Sequence, residues 1–353
     1  MRVVVTGATG NVGTSLVRAL AADERVTEIV GIARRLPQLT YAKTDWVQAD
    51  VEADAARLPA LFEGADAVVH LAWLIQPSRD GRELRRVNVD GSKAVFDAAA
   101  QAGVGALVHA SSIGAYSPGP KDRPVDERWP TGGIPSSFYS RHKSEAERLL
   151  DEVEHEHPQL CVARLRPGLI FKGESASEIR RYFAGPFLPS PLVQPRLLRV
   201  IPAMPGLVVQ GVHADDCAQA YRLVITDQSA RGAYNVAADP VIDPQSLARE
   251  FKAVKLPLAP KLVRVLADLS WRAHLQPTPP GWLDMGLSVP IMDTSRIRAL
   301  GWEPRHTSFE ALRELLTAMS RGEGLSESPP LDPAKSGPAR SRELLTGVGR
   351  RNP

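Results

Sequence analysis

Cysteine is nearly absent. Only Cys161 and Cys217 occur in 353 residues, so neither a disulfide framework nor a cysteine-rich metal cluster organises the chain, and both are expected as reduced core thiols. An excess of either charge is also missing: 43 Lys and Arg against 40 Asp and Glu leave a formal charge of +3. No basic run is interleaved with aromatics, and the sequence gives no support for nucleic acid as a partner. No apolar run reaches membrane-spanning length, and strand-like Arg2-Val3-Val4-Val5 directly after Met1 leaves no room for a signal peptide. The expectation is a cytoplasmic protein with no membrane partner. His155-Glu156-His157 has i, i+2 spacing and lacks the H-E-x-x-H pattern, so it reads as solvated and no metal is expected.

What the chain does have is ordinary globular composition, 43% hydrophobic and 24% charged, enough for one large domain or two. Arg2-Val3-Val4-Val5-Thr6 reads as a buried strand and runs into Gly7-Ala8-Thr9-Gly10-Asn11-Val12-Gly13 before a helical Ser15-Leu16-Val17-Arg18-Ala19-Leu20. Strand, glycine turn and helix stand in the order that a dinucleotide site needs, although the spacing is G-x-x-G-x-x-G and not G-x-G-x-x-G. Gly7 permits the tight turn, Gly10 lets backbone approach a pyrophosphate, and Gly13 allows close helix packing. A second strand, Thr27 to Ala33, ends in Ala33-Arg34-Arg35 where an acid would bind the ribose of NAD. Two guanidinium groups at that place suit a 2′-phosphate, so NADP(H) is the preferred cofactor, with NAD(H) as the alternative.

Strands are expected again at 46–49, 67–72 and from Ala106 into the serine-bearing loop Ser111-Ser112-Ile113-Gly114-Ala115-Tyr116, alternating with helical stretches as in right-handed crossovers. Asp50, followed by Val51, reads equally as an adenine contact or as a helix cap. His70 and Trp73 read as a core-edge histidine and a cleft wall. Asn88 interrupts a helical pattern, which signals a side-chain or backbone hydrogen bond. Tyr139 and Lys143 stand four residues apart at the start of an amphipathic helix and therefore share a face. A phenol ionises at about 10, and a neighbouring ammonium lowers that value, so the pair is a tunable proton donor and acceptor.

These segments together resemble the extended short-chain dehydrogenase/reductase superfamily, specifically its NAD-dependent epimerase/dehydratase group. The resemblance rests on Thr6 to Gly13, His70-Leu71-Ala72, Asn88-Val89-Asp90-Gly91, Ser111-Ser112 before Tyr116, Tyr139-x-x-x-Lys143 and Arg164 to Gly168. It continues through Gly211 to Ala218, Ala233 to Ala237 and Leu300 to Pro304. It implies an α/β fold, a doubly wound parallel sheet of Rossmann type with a smaller C-terminal substrate-binding region. In domain terms it implies an NAD(P)-binding domain at 1–170, rejoined by 207–240, and a substrate region at 171–206 and 241–320. Residues 321–353, rich in Gly, Pro, Ser and charge, read as a flexible tail.

The resemblance further implies that Tyr139 is the general acid/base, that Lys143 lowers its pKa and holds the nicotinamide ribose, that Ser112 binds the substrate oxygen and that Asn88 serves a proton relay. Gly7, Thr9, Gly10, Asn11, Val12, Gly13, Arg34, Arg35, Asp50, Val51, Leu71, Ala72 and Pro167 then line the cofactor with Tyr139 and Lys143. The activity implied is hydride transfer between a nicotinamide and a carbonyl or secondary alcohol of a small-molecule substrate. A nucleotide-sugar epimerase or dehydratase that retains its NAD is the alternative within the class, and a non-catalytic NAD(P) sensor the alternative outside it. A homodimer is the family habit. The proline-rich loops Gly185 to Pro191 and Pro202 to Gly206 are expected to wall a pocket, Arg180, Arg181, Arg196 and Arg199 to be solvated or to hold a diphosphate, and Asp215 and Asp216 to cap a helix or to take part in chemistry. Apolar spacing over Lys261 to Leu275 predicts a helix with a buried stripe and Trp271 in the core.

Overall fold

The computed structural model describes residues 1–75, 78–184, 194–227, 229–276 and 278–335. Five strands open the chain's main sheet: β1 (Arg2–Thr6), β2 (Glu28–Ala33), β3 (Thr44–Gln48), β4 (Ala67–His70) and β5 (Ala106–Ala110). Cys161–Pro167 and Gly232–Val236 complete it, giving seven strands, all parallel, in the spatial order 232–236, 161–167, β5, β4, β1, β2, β3. Strand order therefore reverses between β1 and β4, and ligands of such sheets bind in the crevice beyond the carboxyl ends at that switch point. The fold is the doubly wound one expected from the sequence.

The apolar runs of the strands follow from burial on both faces. Val3 and Val5 point to one side, where Leu16, Val17 and Leu20 of α1 (Asn11–Ala21) meet Tyr221, Val224 and Ile225 of the helix Ala214–Thr226. Val4 points to the other, with Phe62, Val95, Phe96, Leu150 and Val153 from the helices Leu58–Phe62, Gly91–Gln101 and Phe138–Glu156. A second sheet, Ala238–Ile242, Val209–His213 and Leu169–Phe171, carries the helix Ser308–Arg321 through Phe171, Ile242, Phe309, Leu315 and Met319.

Three segments depart from expectation. The helix Pro260–Arg272 forms, but none of its residues is buried, and Leu262, Val265, Leu266 and Leu269 are each more than half exposed; no layer of the described chain packs on that stripe. Trp271 is only partly buried and lies under the Arg79 guanidinium, 4.6 Å from its ring centre. The segment after Gly322 is not a free tail as far as Lys335: Leu331 is fully buried, Ser177 donates to its carbonyl, and Ser328 donates to the Thr9 carbonyl at 2.6 Å. Residues 336–353, and the loop Gly185 to Pro191, lie outside the described residues. Asp215 and Asp216 sit in the first turn of their helix without capping it; the His213 ring accepts the Asp215 N–H. Asp215 instead takes Ser15 and Arg18 of α1, and Asp216 takes the N–H groups of Arg305 and His306, so the carboxylates join elements distant in sequence.

Gly7 has φ +70°, and a Cβ there would lie 2.6 Å from the Ala72 nitrogen. Gly7→Ala is therefore expected to lower unfolding stability by about 1–3 kcal/mol, measured by urea denaturation. Gly286→Ala, where nothing lies within 4 Å in the helix Gly281–Ser288, should leave it unchanged or raise it by about 0.5–1 kcal/mol.

Candidate active site

The carboxyl ends of β1, β4 and β5 converge with the start of the helix Phe138–Glu156. At β1 the chain turns through Gly7, where Gly10 N–H bonds the Gly7 carbonyl at 3.1 Å, and enters α1 with no side-chain cap. The first N–H groups of a helix have no partner within it, and here they open on a glycine-lined cradle. Thr9, Asn11 and Val12 lie along it, and Asn11 also reaches the Ile170 carbonyl. Leu71 bonds the end of β1 through its N–H, and Ala72 closes against Gly7. A Cβ at Gly7 or Gly13 would strike the backbone of Leu71 and Ala72 or of Gly7 and Ala8, so only glycine lets the turn close this tightly at the helix start, the arrangement that suits a dinucleotide pyrophosphate. Beyond β2, Arg34 and Arg35 are exposed. Asp50 accepts the N–H groups of Glu52 and Ala53 within a turn and caps no helix, since the helical turn Ala55–Arg57 begins behind Asp54; buried Val51 lies beside it. Pro167 ends its strand beside Gly168, which bonds the Val236 carbonyl.

Tyr139 occupies the first turn of its helix, behind a Ser137 cap that takes the Ser140 N–H. Its ring lies so close to Gly114 that a Cβ there would come within 2.9 Å of it. Burial pushes the phenol up to about 12, with a hydrogen bond to Ser112 pulling the other way. Ser112 caps the short turn Ile113–Ala115 through the Gly114 N–H at 3.0 Å. Ser111, one residue earlier, points away and donates to Glu147.

Lys143 is almost completely buried, donates to the Ala110 carbonyl at 2.6 Å, and lies 3.4 Å above the centre of the Trp73 ring. Burial presses its amine well below the ordinary lysine value, with Glu147 opposing. The expected effect of Lys143 on Tyr139 is not seen: the amine is 5.9 Å from the phenol ring centre, and in this dry, aromatic surrounding desolvation dominates both groups. Asn88 is fully buried in a π-helical stretch, Arg86–Asp90, and both ends of its amide bond the backbone of Leu74, at 2.7 and 2.9 Å. It thus holds the loop that carries Trp73, and is not brought to the phenol. His70 is a core group, bonded to Thr6 and Ser92 and depressed by burial to about 3.

A second layer fixes this geometry. Glu147, one turn beyond Lys143, pairs with Arg166 in the interior; Arg166 also donates to Tyr116, whose hydroxyl donates to Asn235. Helix, serine loop and two strands are thereby tied at one point.

Over the phenol stands an aromatic wall. Trp73 meets the Tyr139 ring edge-on at 6.1 Å, Trp282 lies 4.9 Å from it, and Phe138 and Phe183 pack on Trp282. Met285 touches the same cluster. Trp282 and Met285 escape a reading of the sequence, because they stand far along the chain from Tyr139 and follow no motif. Only tertiary packing brings them in.

The family model described as NAD dependent epimerase/dehydratase matches residues 3–178. The chain belongs to this family. Among its relatives in sequence, an uncharacterized protein of Mycobacterium tuberculosis (strain ATCC 25618 / H37Rv) is 28% identical over 330 residues, 93% of this chain but 31% of that protein. The chain thus spans about a third of the length of such relatives. Sterol demethylase protein B of Methylococcus capsulatus is 33% identical over 159 residues, 43% of this chain and 48% of that one. The crystal structure of a Thermus thermophilus UDP-glucose 4-epimerase in complex with NAD matches with a TM-score of 0.65 and 23% identity, covering 90% of this chain and 99% of that one. At that identity the likeness concerns the fold. Among the described residues, no helix is long and apolar enough to cross a membrane.

Replacing Glu147 by Leu strands the Arg166 charge in the interior and is expected to cost about 3–5 kcal/mol in urea denaturation, whereas Lys93→Ala, which opens an exposed pair with Asp97, should cost no more than about 0.5 kcal/mol. A phenol held up to about 12 stays protonated through neutrality. Spectroscopic titration of the cofactor-free protein against Tyr139→Phe should accordingly show no difference in phenolate absorbance below about pH 10.

Proposed function

We propose that this epimerase/dehydratase family member is an NAD(P)-dependent oxidoreductase acting on a carbonyl or secondary alcohol borne by an apolar substrate. The observation that carries the proposal is the Tyr139 and Ser112 hydroxyl pair at the floor of an aromatic wall. When bound, a nicotinamide dinucleotide supplies or accepts the hydride. The glycine cradle and the start of α1 would hold its pyrophosphate and Lys143 its ribose, as the family resemblance implies. Arg34 and Arg35 favour NADP(H) at the adenosine end. The Rossmann part (1–170 with 207–240) and the substrate region (171–206 and 241–320) divide these tasks in this reading, with Asn88 positioning the Trp73 loop between them.

In reduction, the protonated Tyr139 gives its proton to the substrate oxygen as the C–O bond becomes a single bond, and solvent restores the proton to the phenolate. Ser112 keeps a hydroxyl on the same oxygen and stabilises the charge that develops there. Since the isolated site holds the phenol protonated, it is set for donation. Oxidation of an alcohol requires the phenolate, whose fraction grows with pH, so the oxidative rate should rise from neutrality into the alkaline range while the reductive rate does not.

The wall favours an apolar substrate over a sugar nucleotide. Trp73 and Trp282 offer ring edges and faces to the phenol, with Phe138 and Phe183 packed behind on Trp282, and the similarity to a protein named sterol demethylase protein B leans the same way. Hydroxyl-rich sugars would lose solvent hydrogen bonds against such a surface. An NAD-retaining epimerase or dehydratase acting on nucleotide sugars is the reading to be separated from this one.

Two measurements test the proposal. Nucleotide released from denatured protein is expected to be absent or exchangeable, with NADPH bound more tightly than NADH; stoichiometric retained NAD would favour the epimerase reading. In a screen of apolar ketones, sterol-like alcohols and sugar nucleotides followed by nicotinamide absorbance, turnover is expected with the first two. Tyr139→Phe should lower kcat by at least about 10²-fold with cofactor affinity nearly intact, and an undiminished kcat would remove Tyr139 from its assigned role.

A further inference from the structure

The helix Pro260–Arg272 and the strand pair before it present an apolar surface that the catalytic reading does not use. Leu262, Val265, Leu266 and Leu269 occupy a stripe about 100° wide on that helix, and each is more than half exposed. The opposite side, with Val263, Ala267 and Trp271, is partly covered by the protein body, and Arg79 and Asp284 secure it there through Trp271 and Arg264. The strands Val200–Ala203 and Val254–Pro257, the second of them just before the helix in sequence, add exposed Val200, Val254 and Leu256, Val254 to 72%.

The charges around this surface are mostly basic, with Arg264 paired to Asp284 and Arg272 to Asp268. Residues 194–203 contain two Lys or Arg and no acid, and residues 252–275 contain five Lys or Arg and one acid, Asp268. Lys261 and Arg272 border the leucine stripe at helical spacing, whereas Lys255 alternates to the other face of its strand from Val254 and Leu256 and donates to Gln245. The chain as a whole is nearly neutral at +3, so this concentration is local. An apolar stripe rimmed by basic residues is the pattern of a helix that lies in the plane of a lipid surface.

We propose that this face docks on an anionic lipid surface, with the leucine stripe entering the acyl boundary and the basic rim meeting the headgroups. A second copy of the chain is disfavoured as occupant, because a two-fold interface would set this basic rim against itself. Residues 336–353 are disfavoured on the same ground, since they add four Arg and one Glu. The covered side of the helix, not the stripe, reaches toward the aromatic wall: the Arg264 partner Asp284 stands two residues from Trp282 on one helix. The docking proposal does not depend on the chemistry assigned to Tyr139.

Sedimentation of the full chain with vesicles tests it, using equal parts phosphatidylglycerol and phosphatidylcholine against phosphatidylcholine alone. Binding is expected to the anionic vesicles, weaker by about tenfold or more without phosphatidylglycerol or at about 0.5 M salt. Leu266→Glu with Leu269→Glu should lose binding by at least about tenfold while keeping native cofactor affinity, since both side chains already face solvent. Tyr139→Phe should bind vesicles as the native chain does, which keeps a failure of the catalytic reading apart from a failure of this one. Native protein that stays in solution with phosphatidylglycerol vesicles would overturn the proposal, as would equal binding by the doubly substituted chain. So would a concentration-dependent dimer, seen by light scattering, that those two substitutions dissolve without any vesicle binding.

Discussion

The spatial relation between a proton donor and the loop that faces it depends on one ion pair in the interior. Glu147 belongs to the helix of Tyr139 and Lys143, Arg166 to the strand that neighbours β5, and Ser111, the residue before Ser112, reaches the same carboxylate. A charge pair removed from water is held by geometry or not at all, because either partner alone is expensive there. The helix therefore cannot rotate or slide relative to the serine loop without exposing that cost, and the phenol and the serine hydroxyl inherit the precision. Tyr116 extends the same tie to the strand Gly232–Val236 through Asn235.

Around this fixed point the site combines two unlike environments. One is the glycine cradle at the switch point of the sheet, made of backbone and open to an anion. The other is the dry aromatic wall over Tyr139, where burial outweighs every nearby charge and drives phenol and amine toward their neutral forms. A polar cradle for a nucleotide beside an apolar seat for its reaction partner is a division of labour that hydride chemistry can use, since water near the reacting carbon serves no purpose in it.

The sheet was legible because parallel strands buried on both faces must be apolar throughout, and the chain announces them as Arg2 to Thr6, Thr27 to Ala33 and Ala106 onward. The convergence of Gly7, Ser112, Tyr139 and Lys143 at one edge of the sheet was legible too, since they lie at intervals measured along local elements. What escaped was decided by neighbours remote in sequence. The periodicity of the Pro260–Arg272 helix correctly indicated a helix and wrongly indicated a buried stripe, for spacing records amphipathicity and not which solvent the apolar side meets. Trp282 was invisible because it is brought to Tyr139 by packing alone. Lys143 was expected as a charge acting on a phenol, whereas the surrounding Trp73 and its own burial set its behaviour. Asp215 and Asp216 had the composition of caps, but Ser15 and Arg305 claimed them.

The segment beyond Gly322 joins the last described part of the polypeptide to its first turn. Ser328 is hydrogen-bonded to Thr9, Gln38 to Glu327, and Leu331 is sealed inside. The nucleotide cradle is thus closed on one flank by residues from the far end of the described chain, and the loop cannot adjust its backbone without disturbing that clasp. If the proposed nucleotide occupies that cradle, any coupling between clasp and nucleotide acts reciprocally. In the proposed reading, a shortened chain lacking these residues would keep Ser112, Tyr139 and Lys143 and still hold its coenzyme differently.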